Sequence, residues 1–390
     1  MKKKTVGFIP LRKNSKGIPN KNKKKLLGRP LFTWVLAEAI FSKLDFVYVF
    51  TDDEEIIDYV NTNFSWSSKV QCIKRSPENA EDTSSTEDAI LEFCDSVNLE
   101  FDIFCLLQAT SPLTKKENIN EALLKLENAD IDSVLSVVKT HRFIWSKEGK
   151  SLNYDYKNRP RRQDFEGLLI ENGAIYCTNK KGLLESKNRL NGNIATLEMP
   201  ENSFVEIDSE TDWKIIEQLL VSNFKLNKFA ERINYLVLDV DGVFTDGNVH
   251  FSKDGELSKV FDMRDGMGLE ILRQNNVKVM VMTSENSEVV KQRMKKLKIE
   301  DVFLGIKDKY SFLQQIMLDR DISSKEIAYV GDDVNDLSNM LRCGWSLCPN
   351  NATKPIKYNA DIILNNTSAK GAIREASEFI INYNLRFNGI

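Results

Sequence analysis

Two histidines, His141 and His250, are all the imidazole that these 390 residues contain. Catalysis by this chain must therefore lean on carboxylates, lysine, arginine and bound metal rather than on a histidine base. His141, in Lys139-Thr-His-Arg142, reads as a surface or substrate-side residue without an assigned role. The six cysteines, at positions 72, 94, 105, 177, 343 and 348, form no Cys-x-x-Cys pair. Several lie inside apolar runs such as Phe104-Cys105-Leu106, which speaks against both a zinc knot and a disulfide framework. Long apolar runs are missing too. Near the start, lysines are followed by Val6–Ile9, a run that stops at Pro10 and Arg12. It is too short for a signal-peptide core or a membrane span and reads as a first buried strand. A net charge of −3 gives no sign of a nucleic-acid-binding surface. The expectation is a cytoplasmic protein with neither nucleic acid nor membrane as partner.

What is present is ordinary for a globular protein, with 42% hydrophobic and 28% charged residues. A core seldom grows beyond about 250–300 residues, so two domains are expected. Short apolar runs alternate with segments of helical spacing. Val6–Pro10, Phe46–Thr51, Phe101–Gln108 and Ser133–Val138 read as strands; Leu31–Phe41, Asp53–Asn63, Ser85–Val97 and Ile119–Asn128 read as helices. The pattern restarts after a helix ending at Leu219–Ala230. Strands then recur at Ile233–Leu238, Val277–Met282, Val302–Leu304 and Ile327–Val330. This predicts an α/β chain of two Rossmann-like domains with mainly parallel sheets, residues 1–228 and 229–390, joined in the Lys225–Lys228 stretch. Ligands of such sheets bind at the carboxyl ends of strands.

The first strand runs into a loop, residues 11–22, that carries Arg12, Lys13, Lys16 and Lys21 around Ser15 and Gly17. Cations at a strand's carboxyl end, with a glycine that lets the backbone come close, can cradle a polyphosphate. The same composition also suits a solvated charged loop. The loop resembles the Arg-x-x-Ser-Lys-Gly-x-x-x-Lys-Asn signature of the sialic acid and Kdo cytidylyltransferases, with Leu11 where that family usually has Ala. Three further segments resemble the family: Arg75–Thr86, Leu106-Leu-Gln-Ala-Thr-Ser-Pro-Leu113, and Arg159–Gly167 followed by Glu171–Tyr176. The last pair is most similar to the animal-type CMP-sialic acid synthetases. The resemblance implies CTP as substrate, with Asn22, Arg75, Ser84 and Thr86 framing the cytosine and Gln108 and Ser111 facing the sugar. Asn172 and Tyr176 would line the sugar pocket. Arg162 is the expected partner of a nonulosonate carboxylate, because a guanidinium binds one bidentately.

Val205-Glu-Ile-Asp208 reads as a strand whose alternation puts Glu206 and Asp208 on one face, where they need solvent or a cation. In the family this pair is Asp-x-Asp and holds Mg²⁺; Asp208 is the expected ligand, with Glu206 a longer arm in the first position. Arg12, Lys16 and Lys21 would then neutralise charge as the sugar's anomeric hydroxyl attacks the α-phosphate.

In the second half, an apolar run ends in Asp239 and Asp241. Downstream lie Thr283, Lys309 and Gly331-Asp-Asp-Val-Asn-Asp336, and the first and last of these follow apolar strands. A nucleophilic carboxylate, a second acid, a hydroxyl, a lysine and an acidic loop make a complete phosphatase set. They resemble the motifs of the haloacid dehalogenase superfamily. That implies Asp239 as nucleophile, Asp241 as acid and base, Thr283 and Lys309 on the phosphoryl oxygens, and Mg²⁺ on Asp239, Asp332 and the Asp241 carbonyl. Asp333 and Asp336 would support the metal. Asp246–Phe261, Arg264–Gly268 and Lys370–Glu375 resemble the Kdo-8-phosphate phosphatase group, which is capless and tetrameric. Glu285, in Thr283-Ser-Glu285, is similar to relatives acting on nonulosonate 9-phosphates. The expectation is a homotetramer that dephosphorylates a nonulosonate 9-phosphate, then activates the free sugar (Neu5Ac or KDN) with CTP. Kdo and its 8-phosphate are the enzymatic alternative, and a second domain serving only assembly is the non-enzymatic one.

Overall fold

The computed structural model describes residues 3–15, 17–81, 83–97, 99–253 and 255–387. The chain divides into two units, one of Met1–Leu26 and Pro30–Leu219, the other of Leu27–Arg29 and Leu220–Ile390.

In the first unit, uninterrupted apolar runs become strands covered on both faces, as parallel strands must be. β1 (Thr5–Leu11) pairs in parallel with β2 (Phe46–Thr51) and with β4 (Ile103–Leu107), and β2 pairs in parallel with β3 (Val70–Lys74). Beyond β4 the sheet departs from the parallel expectation. β6 (Leu168–Asn179) runs antiparallel to β4 and to β5 (Ser133–Thr140), while β7 (Ile194–Met199) is parallel to β5. The order is β3-β2-β1-β4-β6-β5-β7. Phe8, Phe50, Phe93 and Phe104 close one side of the sheet, with Phe8 4.8–5.4 Å from the other three ring centroids.

The flanking helices follow the residue pattern. α1 (Phe32–Ile40) is buried almost throughout. α2 (Glu54–Asn63) starts at Asp53, whose side chain accepts from Glu55 N. α3 (Thr86–Ser96) starts from a reciprocal cap, with Ser85 accepting from Asp88 N and Asp88 from Ser85 N. α4 (Lys116–Lys125), α5 (Lys180–Ser186) and α6 (Glu210–Asn227) complete the set, and the two units divide inside α6. Val205–Asp208 is not a strand: it lies outside the sheet as extended chain, held by Ile207 N donating to Thr110 O at 2.9 Å.

The second unit has a wholly parallel sheet of order β12-β11-β8-β13-β14-β15: β8 (Tyr235–Leu238), β11 (Lys278–Met282), β12 (Asp301–Phe303), β13 (Ile327–Val330), β14 (Trp345–Cys348) and β15 (Ile362–Ile363). Leu238 pairs with Val281 on one side and Val330 on the other, so Asp239, Thr283 and Asp332 leave neighbouring strand ends together. β9 (His250–Ser252) and β10 (Gly255–Ser258) form an antiparallel hairpin outside the sheet, with Phe251 and Leu257 exposed. The helices are α7 (Met263–Gln274), α8 (Glu288–Lys296), α9 (Lys309–Asp319), α10 (Leu337–Arg342), α11 (Lys354–Asn359) and α12 (Ala372–Asn384). Among the described residues, no helix is long and apolar enough to cross a membrane.

Candidate active sites

In the first unit, a cavity of about 300 Å³ opens at the carboxyl end of β1, lined by Arg12, Gly17, Lys21, Asn22, Arg75, Ser84, Thr86, Gln108 and Asp208 among others. Eight of the nine are expected substrate, catalytic or metal residues, and the ninth, Gly17, is the loop glycine. Lys16 lies outside the described residues. Asn22 ties the loop together by donating to Arg12 O at 3.0 Å, and Arg12 donates to Glu81 O at 3.1 Å. Gly17 sits so close to the Asp208 backbone that a Cβ would lie 2.2 Å from the Asp208 carbonyl oxygen, so the loop needs glycine there. Lys21 Nζ spans Ile207 O at 2.8 Å and Asp208 Oδ1 at 3.0 Å. Arg75 is buried and donates to Asn79 O, while its Nε is buried without a partner. Burial first and the Arg12 guanidinium second lower the Arg75 pKa. An acceptor such as a phosphate or a base carbonyl would satisfy that orphaned donor.

Asp208 is exposed and Glu206 half-buried; burial, then the Asp208 charge, raise the Glu206 pKa. A half-buried carboxylate raised by burial and by an acid beside it suits a divalent cation, which would offset that charge.

Four sugar-side expectations fall elsewhere. Asn172 is a core residue: Ser136 Oγ donates to its Oδ1 at 2.6 Å, and its Nδ2 donates to Ser203 O and Ser203 Oγ at 3.2 Å. Its amide is committed inside the protein, which corrects its placement on a pocket wall. Tyr176 is also buried, with its hydroxyl donating to Glu171 and the Arg189 guanidinium 5.1 Å from its ring. Ser111 is buried with its hydroxyl unpartnered. Arg162 stands in solvent on the excursion between β5 and β6, with Glu201 4.0 Å away.

The second site is buried and carboxylate-rich. Asp239 follows β8, donating its N–H to Val330 O at 3.0 Å and accepting from Val240 N at 2.7 Å. Lys309, at the start of α9, places Nζ 2.8 Å from both Asp239 Oδ1 and Asp336 Oδ1, and Tyr329 donates its hydroxyl to Asp336 at 2.8 Å. Asp239, Asp332 and Asp336 each bring one oxygen within 4.8 Å of the others. Burial first, then Asp336, raise Asp239 well above the carboxylate range against the opposing pull of Lys309. The same causes push Asp332 up to about 7. Burial works against the Lys309 ammonium, but Asp239 and Asp336 outweigh it and raise its pKa. One lysine cannot neutralise three neighbouring acids, so the cluster fits a divalent cation.

Gly242 gives this site room. It has φ +84°, and a Cβ there would lie 2.0 Å from Asp332 Oδ2. Asp241 accepts from Thr245 Oγ1 at 3.3 Å, and its Oδ2 is buried with no partner. Thr283 is buried with Oγ1 accepting from Glu285 N at 3.2 Å, and the Glu285 side chain is exposed. Asp333 is exposed and turned to its own chain, accepting from Val334 N at 2.8 Å; Asp336 therefore sits in the cluster and Asp333 does not. Sequence reasoning missed Tyr329 and Lys259. Tyr329 lies within a strand read only as apolar, and Lys259 lies in the Asp246–Phe261 segment, which gave a resemblance but no role for this lysine.

A family model described as cytidylyltransferase matches residues 6–225, and one described as haloacid dehalogenase-like hydrolase matches residues 301–376. Over 394 residues the chain is 36% identical to the N-acylneuraminate cytidylyltransferase of Oncorhynchus mykiss, covering 97% of this chain and 89% of that protein. Over 151 residues it is 34% identical to the 3-deoxy-D-manno-octulosonate 8-phosphate phosphatase of Haemophilus influenzae, covering 39% of this chain and 84% of that one. A structure of the same-named phosphatase from Moraxella catarrhalis, in complex with magnesium ion, phosphate ion and KDO, is 28% identical. It covers 44% of this chain and 95% of that chain at a TM-score of 0.39. The matches are those of a nucleotidyltransferase joined to a sugar-phosphate phosphatase. The chain belongs to the cytidylyltransferase family, among the relatives of the N-acylneuraminate cytidylyltransferases.

Proposed function

We propose that the first unit transfers CMP from CTP to a sialic-acid-type nonulosonate, Neu5Ac or KDN, releasing pyrophosphate. The second unit removes the 9-phosphate of the same sugar through an aspartyl-phosphate. The observation that carries the reading is the likeness, over 97% of the chain, to a protein named N-acylneuraminate cytidylyltransferase. We place both reactions in the cytoplasm.

In the first unit the anomeric hydroxyl attacks the α-phosphorus of CTP in line as the bond to pyrophosphate breaks. Arg12, Lys16 and Lys21 neutralise charge on the leaving polyphosphate, and Asn22, Arg75, Ser84 and Thr86 hold the cytosine. Gln108, Ser111 and Tyr176 belong to the sugar side, and Arg162 takes the sugar's carboxylate. In the second unit the Asp239 carboxylate attacks phosphorus while Asp241 protonates the leaving sugar oxygen. Asp241 then takes a proton from the water that hydrolyses the aspartyl-phosphate, returning Asp239 and inorganic phosphate. Lys309 and Thr283 hold the phosphoryl oxygens, and Glu285 meets the sugar. A bound divalent cation, Mg²⁺, would supply positive charge for the phosphoryl oxygens, held by Asp208 with Glu206 in one unit and by Asp239, Asp332 and the Asp241 carbonyl in the other.

The test is a panel. Neu5Ac, KDN, legionaminic acid and Kdo are each given with CTP and Mg²⁺ and pyrophosphate is measured; the 9-phosphates of Neu5Ac and KDN and Kdo 8-phosphate are each given alone and phosphate is measured. The reading expects Neu5Ac or KDN to lead in both arms. Kdo leading in both arms supports the second reading, favoured by the 34% identity to a Kdo-8-phosphate phosphatase. No phosphate from any ester makes the second unit an assembly module. Exposed Phe251, Leu257, Met263 and Met267 support a homotetramer built through the second unit, which light scattering would weigh.

A further inference from the structure

The acid–base carboxylate of the second site has a partner that the phosphatase set does not include. Lys259 lies just beyond β10, and its side chain is 1% exposed. Its Nζ is 2.6 Å from Asp241 Oδ1 and 3.5 Å from Glu256 Oε2. Glu256 also accepts from Ser287 Oγ, and Ser287 caps α8 by accepting from Val290 N at 3.2 Å. A continuous polar chain therefore runs from the start of α8 through the hairpin to Asp241. Burying an ammonium is costly unless it is paired, so this lysine is held where it is by the two carboxylates it meets.

The consequence is an asymmetry in Asp241. Lys259 and Thr245 both engage Oδ1, whereas Oδ2 is buried with no partner. A carboxylate held by one oxygen cannot rotate freely, and its other oxygen stays aimed in one direction. We propose that Lys259 is the positioning residue of this site: it pins Oδ1 of Asp241 so that Oδ2 carries the proton in both halves of phosphate-ester hydrolysis. From Oδ2 a proton passes to the sugar oxygen as its bond to phosphorus breaks. To Oδ2 a proton returns from the water that attacks the aspartyl-phosphate, which leaves phosphate and a regenerated Asp239. This rests on the phosphatase reading of the second unit.

The test uses the full-length chain with Mg²⁺ and compares the wild type with Lys259→Met and Lys259→Arg. Two esters are used: a nonulosonate 9-phosphate, whose alkoxide must be protonated to leave, and p-nitrophenyl phosphate, whose phenolate need not be. Lys259→Met is expected to lower kcat on the sugar phosphate by about a hundredfold, the scale of general acid–base catalysis, with KM changed less than about threefold. On p-nitrophenyl phosphate it should release one equivalent of phenolate rapidly and then stall. Acid-quenched protein should then carry one phosphoryl group by mass. Lys259→Arg, which can still pair with Oδ1, should recover much of kcat. CMP-sugar synthesis and the melting temperature check that each variant is folded. An active wild type beside a Lys259→Met variant with unchanged kcat overturns this inference alone. So does a variant whose loss is entirely in KM, since Lys259 then binds substrate. A wild type inactive on both esters overturns the phosphatase reading and the role of Lys259 with it.

Discussion

The two sites of this chain solve opposite electrostatic problems. In the first unit the cavity wall carries Arg12, Lys21 and a buried Arg75, and the one acid among its described lining residues, Asp208, is exposed. In the second, Asp239, Asp332 and Asp336 are gathered around a buried Lys309. A site that accepts a polyanion can leave its cations waiting for substrate. A site that gathers buried acids holds them together at a cost, seen in the raised Asp239 and Asp332. The first is a cradle to be filled; the second is a cluster that a cation would complete.

The sharpest way to break the comparison is at Asp239, the proposed nucleophile. Asp239→Asn should reduce phosphate release at least about a thousandfold, because a neutral amide attacks phosphorus poorly. CMP transfer in the same protein should stay within about twofold. Loss of both activities in a folded variant would sink the two-site description. Asp208→Asn is the reciprocal change. It should cost about a hundredfold in CMP transfer and leave phosphate release near normal.

A smaller effect sharpens the picture of the cradle. Arg75→Lys keeps the charge but not the fork that Arg75 directs from the interior, so the KM for CTP should rise about tenfold with kcat less affected. Arg162→Lys should instead raise the KM of the sugar. If it raises that of CTP, Arg162 belongs with the nucleotide.

Much of this could be read before the fold was known, for identifiable reasons. Phe46–Thr51 and Ile327–Val330 are strands with the bounds that their apolar runs predict, because a buried parallel strand has to be apolar on both faces. The basic loop after β1 and the acids after β8 and β13 do come to strand ends, where α/β sheets put short motifs next to one another. What could not be read depends on chain that leaves this pattern. Glu206 and Asp208 alternate as on a strand, yet their segment joins no sheet and has a single backbone bond to Thr110. Asn172 looks like a polar pocket residue, yet β6 turns it into the core against Ser136 and Ser203. Lys259 reaches Asp241 only because a hairpin folds back, and no periodicity announces that.

The smallest expected effect concerns stability, at Asp265 of α7. Its Oδ1 accepts from Arg374 N at 2.9 Å, at the start of α12, and its Oδ2 is buried without a partner. Those backbone donors favour the ionised form, as an acid at a helix N-terminus expects. Burial outweighs them, and with the nearby Asp262 charge it pushes the pKa up to about 6. The sign follows from proton binding. Between the ordinary carboxylate value near 4 and about 6, the folded chain holds a proton that the unfolded chain has released, so stability falls as pH rises through that window and levels off above it. Asp265→Asn cannot titrate, still offers an oxygen to Arg374 N, and should lack this component of the fall. Relative to wild type it should therefore gain roughly 2 kcal/mol between pH 4 and pH 7. Urea melts of the metal-free protein at each pH would read the difference. A wild-type-to-variant gap that stays constant across the window would mean that Asp265 is already ionised at pH 4, with the α12 backbone prevailing over burial.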